Sequence, residues 1–545
     1  MEEKAITGQV LPFARSAEYL RRLAVKQREM GKLLPALELL RLSLAKAPED
    51  AQTVMEIAET YAQMQCPTLS NRALFSLLDN DEMAPECFYG AGCNFYAIQM
   101  FDCARDCLVL YLQKRPDGAF APEAVDMIEA IDTTNPETSA LEMRINRRIE
   151  RVLDSMDADK PYLAVRQIRR ALALEQRNGG THALLSFALL AAGDEKGALE
   201  AARYAMRLTH DDIRAVCAMA AALMANLSGD AARIFLERAV KRAENDDDLQ
   251  LVCQTACEMG QHATVYKVLA RMEAEAPLSD ELLHLLASAS INVGEKDNAL
   301  RCWRLLRRID PMDSVAEYRL KLAEEGKLAT PVSYNRQVPL EETLNRLSRL
   351  RAWVQEGAPG LGERWAEDDE LEKLLRWGGS CTEAGVPQAM IGVLTTMEDA
   401  RGRAVLKDML CDVFTPDTLK HSALAALCVM GMKGPYYALV RGRLTLVHVS
   451  KVDPKETDVH LKALMATVKR RLGPITQEEE TCVGLLCGLS VSHAVANAAV
   501  RARVVELAFR RMRGESVSFE ERPGKRRKME RYARRLMKEA QNGMH

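Results

Sequence analysis

The sequence predicts an all-α fold, in which an α-solenoid of about eight helix pairs is followed by a mainly helical domain carrying one short β-hairpin. Three observations predict it. Ala, Leu, Arg and Glu are abundant and aromatic residues make up only 5% of the chain, a balance that favours helix over sheet. Six segments repeat one helical-hairpin pattern at a spacing of about 34 residues. In the strictest stretch Ala164, Ala198, Ala232, Val265 and Ala299 recur at steps of 34, 34, 33 and 34, where a second helix must approach its first closely. Neither helix of such a pair buries its apolar face alone, so neighbouring pairs must stack.

The elements follow in order. Residues 1–16 form a lead, and 17–118 a first sub-array of three units. The unit Ala17 to Asp50 shows Leu23, Ala24, a turn at Met30-Gly31-Lys32, Ala36, Leu40 and Pro48. The next, Ala51 to Ala84, is looser: Ile57, Ala58 and Tyr61 fit, and Pro67 falls in the first turn of the second helix, where proline is tolerated. Pro85 to Gly118 is the clearest, with Phe88, Gly92, Phe95, Ala104, Tyr111 and Pro116. Residues 119–144 interrupt the array with a helix from about Pro122 to Ile131 and the turn-rich DTTNPETS. A long helix from about Leu141 leads into the strict sub-array, 145–326, which ends in a lone capping helix, Ser314 to Gly326.

The order and spacing of these residues resemble the tetratricopeptide repeat, in the manner of bacterial-type multi-repeat scaffolds. The resemblance covers roughly Ala17 to Gly326 and implies a solenoid whose inner face binds protein partners. One stripe of first-helix residues lines that face. Counted from the motif positions, the stripe holds Tyr89, Cys93 and Tyr96, then Ile149, Leu153 and Met156, then Ala183, Phe187 and Leu190, then Cys217, Ala221 and Met224. The packing stripe of these helices is apolar too, and a helix apolar all round is normally buried, so the middle of the groove is not expected to face water. Its later part is polar, with Gln250, Gln254, His284 and Ser288. Relatives that grip the carboxylate end of a chaperone tail carry Lys and Asn on this stripe, which disfavours that ligand here.

Beyond Leu328 the repeat stops. TPVSYNRQVP, within 327–339, reads as a linker whose two prolines discourage helix. Residues 340–521 are expected to form a helical domain resembling HEAT-type hairpins, with helices near Leu340 to Gln355, Asp369 to Trp377, Gly385 to Met397, Arg401 to Phe414 and Pro416 to Met430. Aromatic and β-branched residues about Arg441-Gly442-Arg443 predict the β-hairpin near 436–450. Residues 522–545 form a basic C-terminal helix: nine cations between Arg522 and Lys538 face Glu530 alone, although the whole chain carries a net charge of only -3.

A chain of 545 residues exceeds what one core serves, in keeping with an array plus a domain. Its fourteen cysteines lie mostly on apolar helical stripes and read as reduced core thiols, which points to the cytoplasm. The start has no signal-peptide core, and the longest apolar runs, ALLSFALLAA and AVCAMAAALMA, fall short of the ~20 residues of a membrane helix.

No catalytic residues, cofactor or metal are assigned. Cys103 with Cys107, and Cys253 with Cys257, share helix faces, and His262 is near the second pair in sequence, but closer Cys-x-x-Cys spacing and a second half-site are missing. GAPGLGERW has glycines at Gly357, Gly360 and Gly362 without a preceding strand or a following Lys-Ser, and reads as a loop. The turn Cys487-Gly488-Leu489-Ser490 between two helices outlines a helix-turn-helix, but Ser492, His493 and Asn497 precede the first arginine, Arg501, and ordinary helix packing accounts for it.

The expected function is a scaffold or adaptor that binds a protein or peptide in the groove, at Tyr89, Tyr96, Leu153, Phe187, Leu190, Met224, Gln254 and His284. Self-association and docking of the chain's own C-terminal part are alternative occupants. The rival reading is a nucleic-acid-associated regulator whose Arg526, Arg527, Arg534 and Arg535 contact phosphates without reading bases. An enzyme lacks a convergent nucleophile, base or metal set, although the stretch Leu340 to Ser450 is unassigned.

Overall fold

The computed structural model describes residues 16–134 and 161–447, apart from 174–175, 210–211, 356, 384, 398, 433 and 441, together with 498–513 and scattered positions in 468–486 and 533–537. Among these residues there are 24 helices and one two-stranded hairpin. The chain divides into two compact units, residues 1–342 and 343–545.

Unit 1 is a run of antiparallel helix pairs. α1 (Ala17–Glu29) pairs with α2 (Leu33–Lys46), α3 (Ala51–Gln63) with α4 (Pro67–Ser76) and α5 (Ala84–Ala97) with α6 (Phe101–Lys114), and α7 (Ala121–Thr134) lies on α6. The second run begins with α8 (Pro161–Leu172), which packs on α9 (Gly179–Ala191). α9 pairs with α10 (Glu195–Leu208), α11 (Ile213–Ala225) with α12 (Gly229–Arg242), α13 (Asp246–Glu258) with α14 (His262–Glu275), and α15 (Asp280–Val293) with α16 (Lys296–Ile309). The single helix α17 (Ser314–Glu324) covers α16.

Local chemistry sets the helix ends. Asn178, Asp194, Asp212, Asn245 and Asp313 accept a hydrogen bond from the first turn of the helix each one opens, satisfying orphan N–H groups. Pro67 occupies the first turn of α4, as its missing N–H allows. Between the two helices of each pair one residue takes a left-handed backbone, and this position recurs with the repeat: Gly31, Gln65 and Gln99 in the first run, Gly193, Leu227, Gly260 and Gly294 in the second. Glycine adopts that conformation freely, whereas Gln65, Gln99 and Leu227 hold it at a steric cost.

The recurring small residues sit where the sequence put them. Ala164, Ala198, Ala232, Val265 and Ala299 are all fully buried, as are Ala36 and Ala104 at the same position of the first run. At Ser70, the corresponding residue of the loosest unit, the hydroxyl donates to the Ala58 carbonyl across the pair at 2.8 Å, so a polar side chain is accommodated there.

The two runs also meet each other, which the repeat pattern does not announce. Arg41 of α2 donates to the carbonyls of Arg308 and Ile309 at the end of α16, and to the Tyr61 phenol at 2.7 Å. Tyr61 in turn donates to the Ile309 carbonyl at 3.0 Å. These carbonyls belong to the last turn of α16, which carries partial negative charge and lacks intrahelical donors. Glu38 pairs with Arg308 at 2.8 Å, Cys66 Sγ donates to the Leu278 carbonyl at 3.2 Å and Gln99 donates to Asp247 at 2.9 Å. Beneath them one continuous apolar cluster joins Leu37, Leu40, Met64 and Leu69 to Leu282, Leu286, Trp303 and Leu306.

Unit 2 contains α18 (Leu340–Gln355, from Thr343 onward), α19 (Gly357–Glu367), α20 (Glu370–Gly379), α21 (Val386–Met397), α22 (Ala400–Cys411), α23 (Asp417–Val429), β1 (Tyr436–Val440), β2 (Arg443–Val447) and α24 (Ala498–Met512). The strands are antiparallel, with Tyr436 opposite Val447 and Val440 opposite Arg443, and β1 packs on α22 and α23. GAPGLGERW is a correction: it opens α19 rather than forming a loop. Leu361 and Trp365, four apart, are both buried on one side of it, and Pro359 falls in the first turn, where it costs no hydrogen bond. The helix expected to stop at Ile131 runs on to Thr134, and the rest of DTTNPETS lies outside the described residues.

Two substitutions test this geometry with opposite signs. Ala198→Leu overpacks a fully buried contact and is expected to cost about 1–3 kcal/mol. Leu227→Gly relieves a left-handed residue that is 96% exposed. A strain of about 1–2 kcal/mol then outweighs the added unfolded-state freedom of about 0.4–1 kcal/mol, for a net gain of about 0.5–1 kcal/mol. Urea titrations of both variants check the pair, and stabilities that move together contradict it.

Candidate peptide-binding groove

The stripe residues fall into three environments. In the first run Tyr89 is half-buried and stacks on Phe120 with ring centroids 4.4 Å apart, while Tyr96 is exposed and edge-on to Phe101 at 5.5 Å. In the middle of the second run the first helices α9 and α11 touch each other directly, and Ala183, Cys217 and Ala221 are buried. Phe187, Leu190 and Met224 are half-buried: each packs in part against a core cluster and keeps part of its side chain accessible. Ile149, Leu153 and Met156 lie outside the described residues.

At the polar end Gln250 and Gln254 are exposed, whereas His284 and Ser288 are buried. What they face is the chain itself. Residues 332–337, of the segment that reads as a linker, run along α15 with bends at Tyr334, Asn335 and Arg336 and are fixed there by side chains of α14, α15 and α17. The Asn292 amide donates to the Val332 carbonyl at 2.8 Å and accepts from the Val332 N–H at 2.6 Å. Arg319 of α17 reaches across, donating to the carbonyls of Asn335 at 2.7 Å and Gln337 at 3.0 Å, and to Ser288 Oγ at 3.0 Å. The Tyr334 phenol lies 2.7 Å from His262 Nδ1. The Arg336 guanidinium bridges Asp313 at 2.6 Å and Asp280 at 3.2 Å, two carboxylates whose side chains are only 4% exposed.

Electrostatics ties these groups together. Burial first, and then the charges of Arg319 and Arg336, hold the His284 imidazole neutral down to about 3. Its Nε2 lies 3.1 Å from Arg319 Nη1, and as a neutral ring it accepts that donor. The Arg336 guanidinium and the Ala316 N–H keep the Asp313 carboxyl below its usual range despite burial. Arg336 itself is held firmly charged by Asp313 and Asp280 against the cost of its burial.

Among the sequence-derived site residues, then, the structure places His284 in this contact and leaves Tyr89 and Tyr96 on the other run. Asn292, Arg319, Tyr334, Arg336, Asp280 and Asp313 were not singled out. Asn292 had a signal, being one turn beyond Ser288 on the same helix face. His262 bonds to Tyr334 while Cys253 and Cys257 hydrogen-bond one another, so the three do not converge. Among the described residues no group of three or more His, Cys, Asp or Glu is placed to hold a metal ion, and no helix is long and apolar enough to cross a membrane. Arg526, Arg527 and Arg535 lie outside the described residues, as does the helix-turn-helix outline at 487–497; Arg534 is described and exposed.

No family model matches the chain. A curated protein of Bacillus subtilis (strain 168), the TPR repeat-containing protein YvcD, is 26% identical over 126 residues, which are 23% of this chain and 26% of that relative. The hairpins repeat their turn and their small contact residue about every 34 positions, as tetratricopeptide repeats do. The array is an all-α solenoid of tetratricopeptide type. The chain spans about a quarter of the relative's length. Solved tetratricopeptide structures aligned with it include yeast Tom70, at 10% identity over 91% of this chain and 96% of that one with a TM-score of 0.27. The TPR2AB domain of yeast Sti1, solved as a pHSP90 complex, aligns at 10% identity over 48% and 98% with a TM-score of 0.22. At such TM-scores the superpositions add nothing, and the fold assignment rests on the tetratricopeptide geometry and the Bacillus relative.

The neutral His284 makes the array sensitive to acid. The unfolded chain takes up a proton near 6.5, the folded site only near 3, so stability is complete above the ordinary histidine range and falls as pH drops through 6.5 toward 3. Between pH 7 and 5, above the carboxylate range, this loss is expected to reach about 2 kcal/mol. Urea titration at the two pH values should show it in the wild type and show it reduced in His284→Gln; equal losses in both contradict the assignment.

Proposed function

We propose that this tetratricopeptide array is a protein-interaction scaffold whose inner face takes a partner chain, with an apolar section around Phe187, Leu190 and Met224 and a polar section at α15 and α17 that receives peptide main chain. The observation that carries the reading is the seating of residues 332–337. Side chains of α15 and α17 bond to three carbonyls and one N–H of that segment, main-chain contacts that do not depend on the side chains of the bound segment. Tyr89 and Tyr96 extend the lining on the first run, and Gln254 supplies an exposed amide beside the polar section. The nucleic-acid reading rests on the cationic run between Arg522 and Lys538 alone, and the scaffold reading is preferred because it has a seated occupant. We place the scaffold in the cytoplasm: most of the described cysteines are buried in the helical core, where they serve as small apolar side chains.

The apolar section is tested by charge. Phe187→Glu with Met224→Glu in the full chain should reduce retention of a partner from the native cell at least about tenfold, the equivalent of about 1.4 kcal/mol, while helix content and a cooperative melt persist. Retention unchanged in that variant removes the apolar section from the partner site.

A further inference from the structure

The segment 332–337 is bound in the manner of a ligand rather than packed in the manner of a loop. Side chains of the array hold the carbonyls of Val332, Asn335 and Gln337 and the N–H of Val332, and the segment forms no helix or strand of its own. Although the backbone bends at 334–336, burial alternates along it: Val332 is buried, Tyr334 meets His262, and Arg336 enters the acidic pocket, whereas Ser333 and Asn335 are exposed. The array therefore contacts three side chains of the segment, at 332, 334 and 336.

The pocket that takes Arg336 is the most selective part. Asp313 is already committed to the N–H groups of Val315 and Ala316 at the start of α17, and Asp280 lies in the first turn of α15. Both carboxylates are buried, and a buried carboxylate pair is tolerated only with a cation between its members. A planar guanidinium spans the two; the point charge of a lysine would not. The fit elsewhere is incomplete. His284 Nδ1 is buried without a hydrogen-bond partner, so the segment leaves one polar atom of its site unmet.

We propose that the site formed by α14, α15 and α17 is a receptor site for a peptide of the pattern aliphatic-x-aromatic-x-arginine, bound in the bent form of residues 332–337 and filled in cis by Val332, Tyr334 and Arg336, and that partner segments of this pattern compete for it. This rests on the scaffold reading and adds the chemistry of one section. A tethered ligand sits at an effective concentration in the millimolar range, so the resting chain masks the site and a free peptide of modest affinity binds only when the tether is disabled.

The test uses the full chain and a fluorescent peptide of sequence TPVSYNRQVP, residues 330–339, read by anisotropy. In one variant residues 331–338 are replaced by Gly and Ser at equal length. In a second, Arg336→Ala alone vacates the acidic pocket, which keeps the test available should the first variant misfold. The peptide is expected to bind the Gly/Ser chain saturably and at least about tenfold more tightly than the wild type, and the Arg336→Ala chain to an intermediate degree. A peptide in which arginine is changed to lysine should lose most of this binding. Peptide that binds neither variant, while both keep wild-type helix content and a cooperative melt, overturns the proposal, as does equal binding to wild type and variants. If the peptide fails but partner retention still depends on Phe187 and Met224, this inference falls and the scaffold reading stands; if that dependence is also absent, both fall.

Discussion

The whole array depends on how closely the two helices of each pair approach. Ala36, Ala104, Ala198, Ala232 and Ala299 are buried to the last square ångström at that contact, which recurs about every 34 residues within each run. The short distance lets the loop between helices close with a single left-handed residue and lets first helices such as α9 and α11 stand side by side. A groove lined by first helices follows from that arrangement. Val265 and Ser70 mark the tolerance of the contact, one by extra volume and the other by a hydroxyl that finds a carbonyl.

Stacking of this kind leaves a problem at each end, because the last pair has no neighbour. Here α17 covers α16, and residues 332–337 cover the open side of α15. The first and last pairs of the described array are then joined through the end of α16. Three arginines make these connections. Arg41 and Arg319 donate to backbone carbonyls, and Arg336 to buried carboxylates. Each exploits a flat fork of donors that reaches several acceptors at once. The same fork explains why His284 stays neutral: it lies among guanidinium groups and is fully removed from water.

The fold was legible in the sequence wherever a local rule repeats. The period of 34, the small contact residues, Pro67 at a helix start and the hairpin about Arg441-Gly442-Arg443 all follow from short-range chemistry, and all appear at or within a few residues of their expected places. Gly357 to Gly362 misled because three glycines suggest a loop, whereas the burial of Leu361 and Trp365 outweighs their low helix propensity. The contacts made by Arg41 and Arg336 were not legible. Arg41 reaches carbonyls more than 260 residues away, and a backbone carbonyl leaves no trace in sequence. The acidic pocket is assembled from Asp280 and Asp313, each of which alone reads as an ordinary helix-start residue. His284 is visible as a polar stripe position, but its occupant reads as a linker because two prolines exclude helix without saying what the non-helical chain rests on.

The account turns on one claim, that residues 332–337 are held against α15 and α17 in the manner of a bound peptide. The most direct measurement is amide hydrogen exchange at Val332 in the full chain, since its N–H donates to Asn292 and to no backbone group. Slow exchange in the wild type, rising to the rate of an unstructured peptide in Asn292→Ala while amides of α15 remain protected, is the predicted result. Fast exchange at Val332 in the wild type, or protection that survives removal of the Asn292 amide, would contradict the claim.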